Sequence, residues 1–250
     1  MKAAITGATS GIGKETAKYL YSLGYELILT GRNEIVLNEL KKEFNGKAEI
    51  IALDLSKESD VYEFYNFCKG KDVDFLVNNA GFGIFGEFSK TSLEKEMELI
   101  NLNIKALHIL TKLFLNDFTA QKKGIILNVA SSAGFMYGPL LSSYYASKNY
   151  VVALTMAIYE ELRRKKSPVK ISVLCPGPVD TNFNNNAGVK FSVKPVSAQY
   201  VAKYAVDNAL KGKTIIVPSA MIKMGVCFSK FVPKKLLTRI AFNIQKKKFS

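Results

Sequence analysis

Ser131, Tyr144 and Lys148 are the residues of this chain whose types and spacing best suit moving a proton. Tyr144 and Lys148 stand four apart in a run that continues as a helix, so both side chains fall on one face. A lysine ammonium beside a phenol favours the phenolate. Free tyrosine titrates near 10, and general acid work near pH 7 asks for a fall of about 3 units, or roughly 4 kcal/mol. A serine hydroxyl nearby can hold the oxygen that receives the proton. Taken bare, Tyr-x-x-x-Lys is a weak pattern in a chain with 12 tyrosines, and Tyr145, three before Lys148, shares the same face.

The elements that would carry these residues follow from hydrophobic periodicity. Short apolar runs predict strands at Lys2–Thr6, Tyr25–Thr30, Ala48–Ala52, Asp74–Val77, Gly124–Val129, Val169–Leu174 and Thr214–Val217. Amphipathic runs predict helices near Ile12–Leu23, Glu34–Phe44, Glu58–Cys68, Leu93–Phe118, Ser143–Lys166 and Ala198–Leu210. The alternation implies an α/β fold: one domain built on a doubly wound parallel sheet of about seven strands, with helices on both faces. Ligands of such sheets sit beyond the carboxyl ends of the strands, so the irregular stretch from Thr181 to Val196 is a candidate lid.

The run Thr6-Gly7-Ala8-Thr9-Ser10-Gly11-Ile12-Gly13 follows the first strand and opens the first helix. Glycines there let the backbone approach a pyrophosphate, and a helix N-terminus offers unpaired N–H groups and partial positive charge. A dinucleotide is the natural occupant, although Gly-x-x-x-Gly-x-Gly is not the general Gly-x-Gly-x-x-Gly fingerprint. About 20 residues further on, where an acid would bind the ribose hydroxyl of NAD, the chain has Gly31-Arg32. Arg32 suits a 2′-phosphate through a charge-assisted hydrogen bond of roughly 1.5–3 kcal/mol, a tenfold to hundredfold preference for NADP over NAD. Asp54, within Leu53-Asp54-Leu55, can accept from an adenine amino group; its competing role is a helix N-cap, for which Ser56 is better placed. With such a cofactor bound, Lys148 and a cationic nicotinamide together meet the demand on Tyr144 more readily than either alone.

Composition narrows the alternatives. At 250 residues, 48% apolar and 22% charged, the chain is an ordinary globular protein, neither disordered nor coiled coil. Of the net charge of +14, ten positives lie after Asp207, where no acidic residue follows, which leaves +4 on the first 207 residues. No helix-turn-helix, zinc or RNA-binding signature accompanies them, so no specific nucleic-acid partner is expected. Cys68, Cys175 and Cys227 have no pairing rhythm and a single His108 cannot complete a zinc set, so neither a metal nor a disulfide framework is expected. His108 and the cysteines read as packing residues. No signal peptide is read before the first strand, no spanning segment occurs, and the expected compartment is the cytoplasm.

Taken jointly, Thr6-Gly7-x-x-x-Gly11-x-Gly13, Asn78-Asn79-Ala80-Gly81, Asn103, Ser131, Tyr144-x-x-x-Lys148 and Pro176-Gly177 resemble the short-chain dehydrogenase/reductase family in order and spacing, from about residue 2 to 218. The resemblance favours Ser131 over Ser132 and Tyr144 over Tyr145. It implies that Tyr144 exchanges the proton, Lys148 lowers its pKa and binds the nicotinamide ribose, Ser131 orients the carbonyl, and Asn103 helps hold a proton relay. It further implies that Gly7, Thr9, Ser10, Gly11, Ile12 and Gly13 cradle the pyrophosphate side, Asp54 and Leu55 the adenine, and Asn79, Ala80 and Gly81 the adenosine and nicotinamide side. Pro176, Gly177, Val179 and Thr181 would embrace the carboxamide. Arg32 looks like the NADP-preferring branch, although Ser10 stands where some NADP enzymes carry a second basic residue. The implied activity is NADP(H)-dependent interconversion of a carbonyl and a secondary alcohol; a non-catalytic NADP sensor of the same fold is the alternative. Assembly as a homodimer or homotetramer through the long helices is implied too.

Phe82, Phe85, Phe135, Met136, Tyr137, Leu140, Leu141 and Phe183 surround the expected nicotinamide mouth and suggest a small apolar substrate. Residues 1–218 are read as the catalytic domain and 219–250 as a basic amphipathic extension, in which Pro233 suits a first helical position. The apolar stripe Leu236, Leu237, Ile240, Ala241 and Ile244 is expected first to pack on the body, ahead of covering the substrate mouth or making peripheral membrane contact.

Overall fold

The computed structural model describes residues 1–181, 195–229 and 231–246. Seven parallel strands form one sheet in the order β3-β2-β1-β4-β5-β6-β9. They are β1 (Lys2–Thr6), β2 (Glu26–Gly31), β3 (Ala48–Ala52), β4 (Val73–Asn78), β5 (Ile125–Val129), β6 (Lys170–Leu174) and the short edge strand β9 (Ile215–Ile216). Runs such as Ala3-Ala4-Ile5 and Leu27-Ile28-Leu29 have no polar face because helices cover both sides, and all six residues are at most 1% exposed. The chain winds outward through β2 and β3, then returns to pair β4 with the opposite edge of β1. That reversal opens a crevice above the carboxyl ends of β1 and β4, where ligands of open sheets bind.

One face is covered by α1 (Gly11–Ser22), α2 (Glu34–Glu43) and α7 (Ala198–Leu210), with Leu20, Leu37, Leu40 and Val206 in its core. The other is covered by α3 (Glu58–Cys68), α5 (Leu107–Gln121) and α6 (Ser142–Arg164), through Phe64, Phe114, Phe118 and Leu162. The helix expected over Leu93–Phe118 is interrupted: α4 (Leu93–Ile100) passes into a π-helical turn, Asn101–Ala106, before α5. Such turns inside α-helices gather at functional sites, and this one contains Asn103. Neither Asp54 nor Ser56 caps α3; Lys57 holds that position, and Asp54 Oδ1 accepts instead from the backbone N–H and hydroxyl of Ser56.

Two short strands, β7 (Val179–Asp180) and β8 (Val196–Ser197), pair in parallel at either end of the expected Thr181–Val196 loop, whose residues 182–194 lie outside the described set. The extension forms α8 (Ala220–Ser229) and α9 (Lys234–Lys246). Pro233 stands just before α9, its carbonyl accepting from the Leu237 N–H. Among the described residues no helix is long and apolar enough to cross a membrane.

Candidate active site

A single cavity of about 990 Å³ runs across the crevice from the first turn to the N-terminal part of α6. Its first end is the glycine turn. Gly7 and Gly11 have positive φ, +63° and +51°, as a tight strand-to-helix turn requires. Gly13 faces inward, where a Cβ would come within 2.2 Å of the Gly7 carbonyl oxygen, so only glycine lets α1 start so close to β1. Ser10 at the N-cap makes no side-chain capping hydrogen bond and the first turn of α1 holds no acid, so no carboxylate of the helix itself competes at its N-terminus. That arrangement fits an anion such as a pyrophosphate. Thr9 packs onto Gly31, where a Cβ would stand 2.8 Å from its methyl, and Arg32 follows on the cavity wall. Asp54 and Leu55 line the same end, with one Asp54 oxygen already engaged by Ser56.

The turn is stapled to the end of β4 by Thr6, a residue no motif singled out for this work. Its hydroxyl accepts from the N–H groups of Asn79 and Ala80, both at 3.0 Å, while Asn79 Nδ2 donates to the carbonyls of Thr6 and Gly7 at 3.1 and 3.0 Å. Asn79 thus holds the glycine turn through its side chain, and Asn79, Ala80 and Gly81 line the middle of the cavity. Gly13 and Asn103 lie behind the wall. Asn103, 1% exposed, accepts from Phe82 N–H at 3.1 Å and donates to Phe82 O and Ser147 Oγ at 2.9 and 3.1 Å. A Cβ on Gly81 would meet Asn103 Oδ1 at 2.8 Å and Lys148 Nζ at 3.5 Å, so Asn103 and the lysine ammonium converge beneath that glycine.

At the far end Ser131, Tyr144 and Lys148 come together. Ser131 Oγ accepts from Ala133 N–H at 3.1 Å, lies 3.5 Å from Pro176 O, and shares a hydrogen bond with the Tyr144 hydroxyl. Lys148 Nζ donates to Val129 O at 3.0 Å and stands 5.8 Å from the centre of the Tyr144 ring. Burial pushes the Tyr144 phenol up to about 12, with the Ser131 hydrogen bond working against it. Burial also brings the Lys148 ammonium down to about 8. The chain's own groups therefore do not produce the expected fall at Tyr144, which keeps its proton at neutral pH.

Asn149, two residues past the Ser147 that meets Asn103, donates to the carbonyls of Ala133, Met136 and Tyr145 and ties the segment after Ser131 to α6. Beneath the site, Asn78, Thr111, Asn128 and Thr155 form a buried polar chain linking β4, α5, β5 and α6. Asn128 was legible only as a polar residue in an otherwise apolar run, and Asn149, which follows Ser147 and Lys148, carried no signal in the sequence.

The mouth departs from expectation. Of the proposed apolar wall, Phe82, Met136 and Leu141 line the cavity; Phe85 packs with Leu99 and Tyr144, and Phe135 packs against a core cluster around Val151 and Val173. Tyr137 stands outside, beside Lys234, Lys235 and Arg239, Leu140 is not on the cavity wall, and Phe183 lies outside the described residues. The fourth wall comes from the extension. Ile222 of α8 and Leu237, Ile240, Ala241, Ile244 and Gln245 of α9 face the cavity, and a Cβ on Gly177 would meet Ile222 at 2.7 Å. Gln245, 2% exposed, donates to the Tyr145 hydroxyl at 2.7 Å, a contact across 100 residues. Pro176, Gly177, Val179 and Thr181 line the wall between.

His108 is exposed, its Nδ1 2.7 Å from Tyr150 OH, which corrects its expected packing role; Cys227 is exposed as well, whereas Cys68 and Cys175 are buried.

A doubly wound sheet with a glycine turn at its switch point and a serine, tyrosine and lysine across the crevice is the arrangement expected of an oxidoreductase of short-chain type. The family comparison agrees: residues 1–190 match the short chain dehydrogenase model, and the chain belongs to that family. It is 33% identical over 204 residues to an uncharacterised oxidoreductase of Staphylococcus epidermidis, covering 80% of this chain and 86% of that one. Among solved structures, a short-chain dehydrogenase from Sphingobium yanoikuyae in complex with NADPH shares 25% identity, with TM-score 0.81 and 88% of each chain covered. A short-chain dehydrogenase/reductase from Burkholderia phymatum in complex with NAD also shares 25%, with TM-score 0.82, 90% of this chain and 91% of that one covered.

Proposed function

We propose that this protein is an NADPH-dependent carbonyl reductase, in reverse an NADP-dependent alcohol dehydrogenase, acting on small apolar ketones, aldehydes or secondary alcohols. The observation that carries the reading is one cavity with Ser131, Tyr144 and Lys148 at one end and the glycine turn and Arg32 at the other. Arg32 and Lys148 are the two cationic side chains on its wall among the described residues, at opposite ends. Their positions support Arg32 as the partner of a 2′-phosphate and Lys148 as the partner of the ribose and the reacting end.

Bound NADPH supplies a hydride to the carbonyl carbon. The chain's residues handle the oxygen. Tyr144 donates its proton to that oxygen, and its high pKa keeps the proton in place until negative charge develops there. Ser131 holds the oxygen while its own hydroxyl is oriented by Ala133 N–H. Lys148, anchored on Val129 O, supplies the positive charge beside the tyrosinate that remains. Asn103 fixes Phe82 and Ser147 around this end and, in this reading, helps return a proton to Tyr144.

Residues 1–218 serve as the catalytic body and 219–250 as a cover over the substrate end, because α8 and α9 supply its apolar wall. Assembly as a dimer or tetramer through the long helices belongs to the same reading. A dinucleotide sensor would have no use for the assembled proton donor. The test is NADPH oxidation by the purified protein across a panel of apolar ketones and aldehydes, with Tyr144→Phe as the control that keeps cofactor binding and loses turnover.

A further inference from the structure

The two helices that close the cavity, and the turn between them that carries Phe231, also expose an unusual amount of apolar surface. Met221, Met224, Phe228 and Phe231 are 57–82% exposed, and Leu236 and Phe242 are 49% and 40% exposed. A lone exposed apolar residue needs no explanation, but a contiguous set marks an interaction surface. Between them stand Lys223, Lys234, Lys235 and Arg239, all exposed and none in an ion pair among the described residues. No acidic residue occurs anywhere after Asp207.

We propose that the outer face of α8 and α9 docks on an anionic lipid bilayer, with Phe228 and Phe231 entering the headgroup boundary and the lysines and Arg239 meeting lipid phosphates. Charge selects the occupant. A two-fold contact with a second copy would lay this face against itself and oppose its own cations with no carboxylate to relieve them. An anionic headgroup layer offers the complementary charge, and amphipathic helices with basic polar positions bind at that depth. Both helices turn one side to the cavity while Met221, Met224, Phe228, Leu236 and Phe242, which do not line it, are exposed, and no described helix is long and apolar enough to cross a membrane.

The placement has a consequence for the site, which rests on the reading of the cavity as a substrate chamber. Ile222, Leu237 and Ile240 turn toward the cavity from the same two helices. A membrane-dissolved apolar ketone would then enter between α8 and α9 without crossing bulk water.

The test uses the full chain, without cofactor or substrate, and vesicles of phosphatidylcholine alone or mixed equally with phosphatidylglycerol. The protein is expected to sediment with the mixed vesicles and far less with the neutral ones. Lys234→Gln with Lys235→Gln should weaken the mixed-vesicle affinity roughly 30-fold. Phe228→Ser with Phe231→Ser should abolish sedimentation while leaving NADPH oxidation with a water-soluble ketone at the parent rate. The chain contains no tryptophan, so Phe231→Trp provides a single fluorophore whose emission should shift to the blue on mixed vesicles, independently of the serine variants. Protein that stays in the supernatant with mixed vesicles, or Phe231→Trp emission that does not move, overturns the proposal. So does a dimer that the two serines split while vesicles are ignored, which would assign the face to a second copy. Since binding is read without turnover, its failure leaves the reductase assignment untouched, and the reverse holds.

Discussion

Lys148→Met should make the protein more stable and inactive at the same time. Lys148 is 5% exposed and its pKa is drawn from 10.5 to about 8 by burial. A displacement of that size corresponds to about 3 kcal/mol that the folded protein loses by holding the ammonium out of water. Methionine keeps most of the volume and removes the charge; against this, Val129 O loses its donor, which costs about 1 kcal/mol. The net gain at pH 7 is about 2 kcal/mol, or about 4–8 °C in Tm for a chain of this length. The sign with pH follows from a base whose folded pKa lies below its unfolded one. Below about 8 the lysine is charged in both states and the folded protein bears the whole cost. Between about 8 and 10.5 the folded state has released a proton that the unfolded state still holds, so the parent gains stability as pH rises. The advantage of the methionine variant is therefore full at pH 7 and gone by about pH 10. Urea unfolding of both proteins at the two pH values measures it. A variant less stable than the parent at pH 7, or an advantage unchanged at the higher pH, would refute the reasoning that burial, and no hidden partner, sets the lysine's pKa.

Three further outcomes follow from the geometry. Arg32→Ala should weaken NADPH binding about tenfold to a hundredfold and leave NADH binding nearly unchanged, by titration calorimetry; equal losses would remove the phosphate role. In kcat/KM for NADPH, which reports the free protein, activity should fall as pH rises through about 8 and Lys148 loses its proton, with no second fall from Tyr144 below about 12. Gln245→Ala removes the donor to Tyr145 OH and opens a buried gap beside it. It should cost about 2 kcal/mol and speed proteolysis in the segment around Pro233, with KM for a bulky ketone moving more than KM for NADPH.

The sheet was legible because both of its faces are buried: runs such as Ala3-Ala4-Ile5 and Phe75-Leu76-Val77 read as strands on hydrophobicity alone. Most cavity residues were legible for a different reason, since the glycine turn directly follows the first strand, and the Asn79-Ala80-Gly81 segment and the serine-tyrosine-lysine set match a family in order and spacing. The π turn at Asn101–Ala106 was not legible, because no side-chain preference distinguishes it from ordinary helix. Nor was the apolar mouth, where inward and outward aromatics have the same composition, so Phe82 and Phe135 looked alike before the fold separated them. The Gln245–Tyr145 contact spans 100 residues and no local pattern announces it. His108 was misread although its position was informative: it shares the solvent stripe of its helix with Lys105 and Lys112.

The most direct test of catalysis by Tyr144 is a comparison of NADPH consumption and alcohol formation from an apolar ketone by the parent and by Tyr144→Phe, alongside NADPH affinity for both. The parent should consume one NADPH for each alcohol formed, and Tyr144→Phe should bind NADPH as tightly while its turnover falls by about 10²–10⁴-fold. A phenylalanine variant that reduces the ketone at the parent rate would contradict the account.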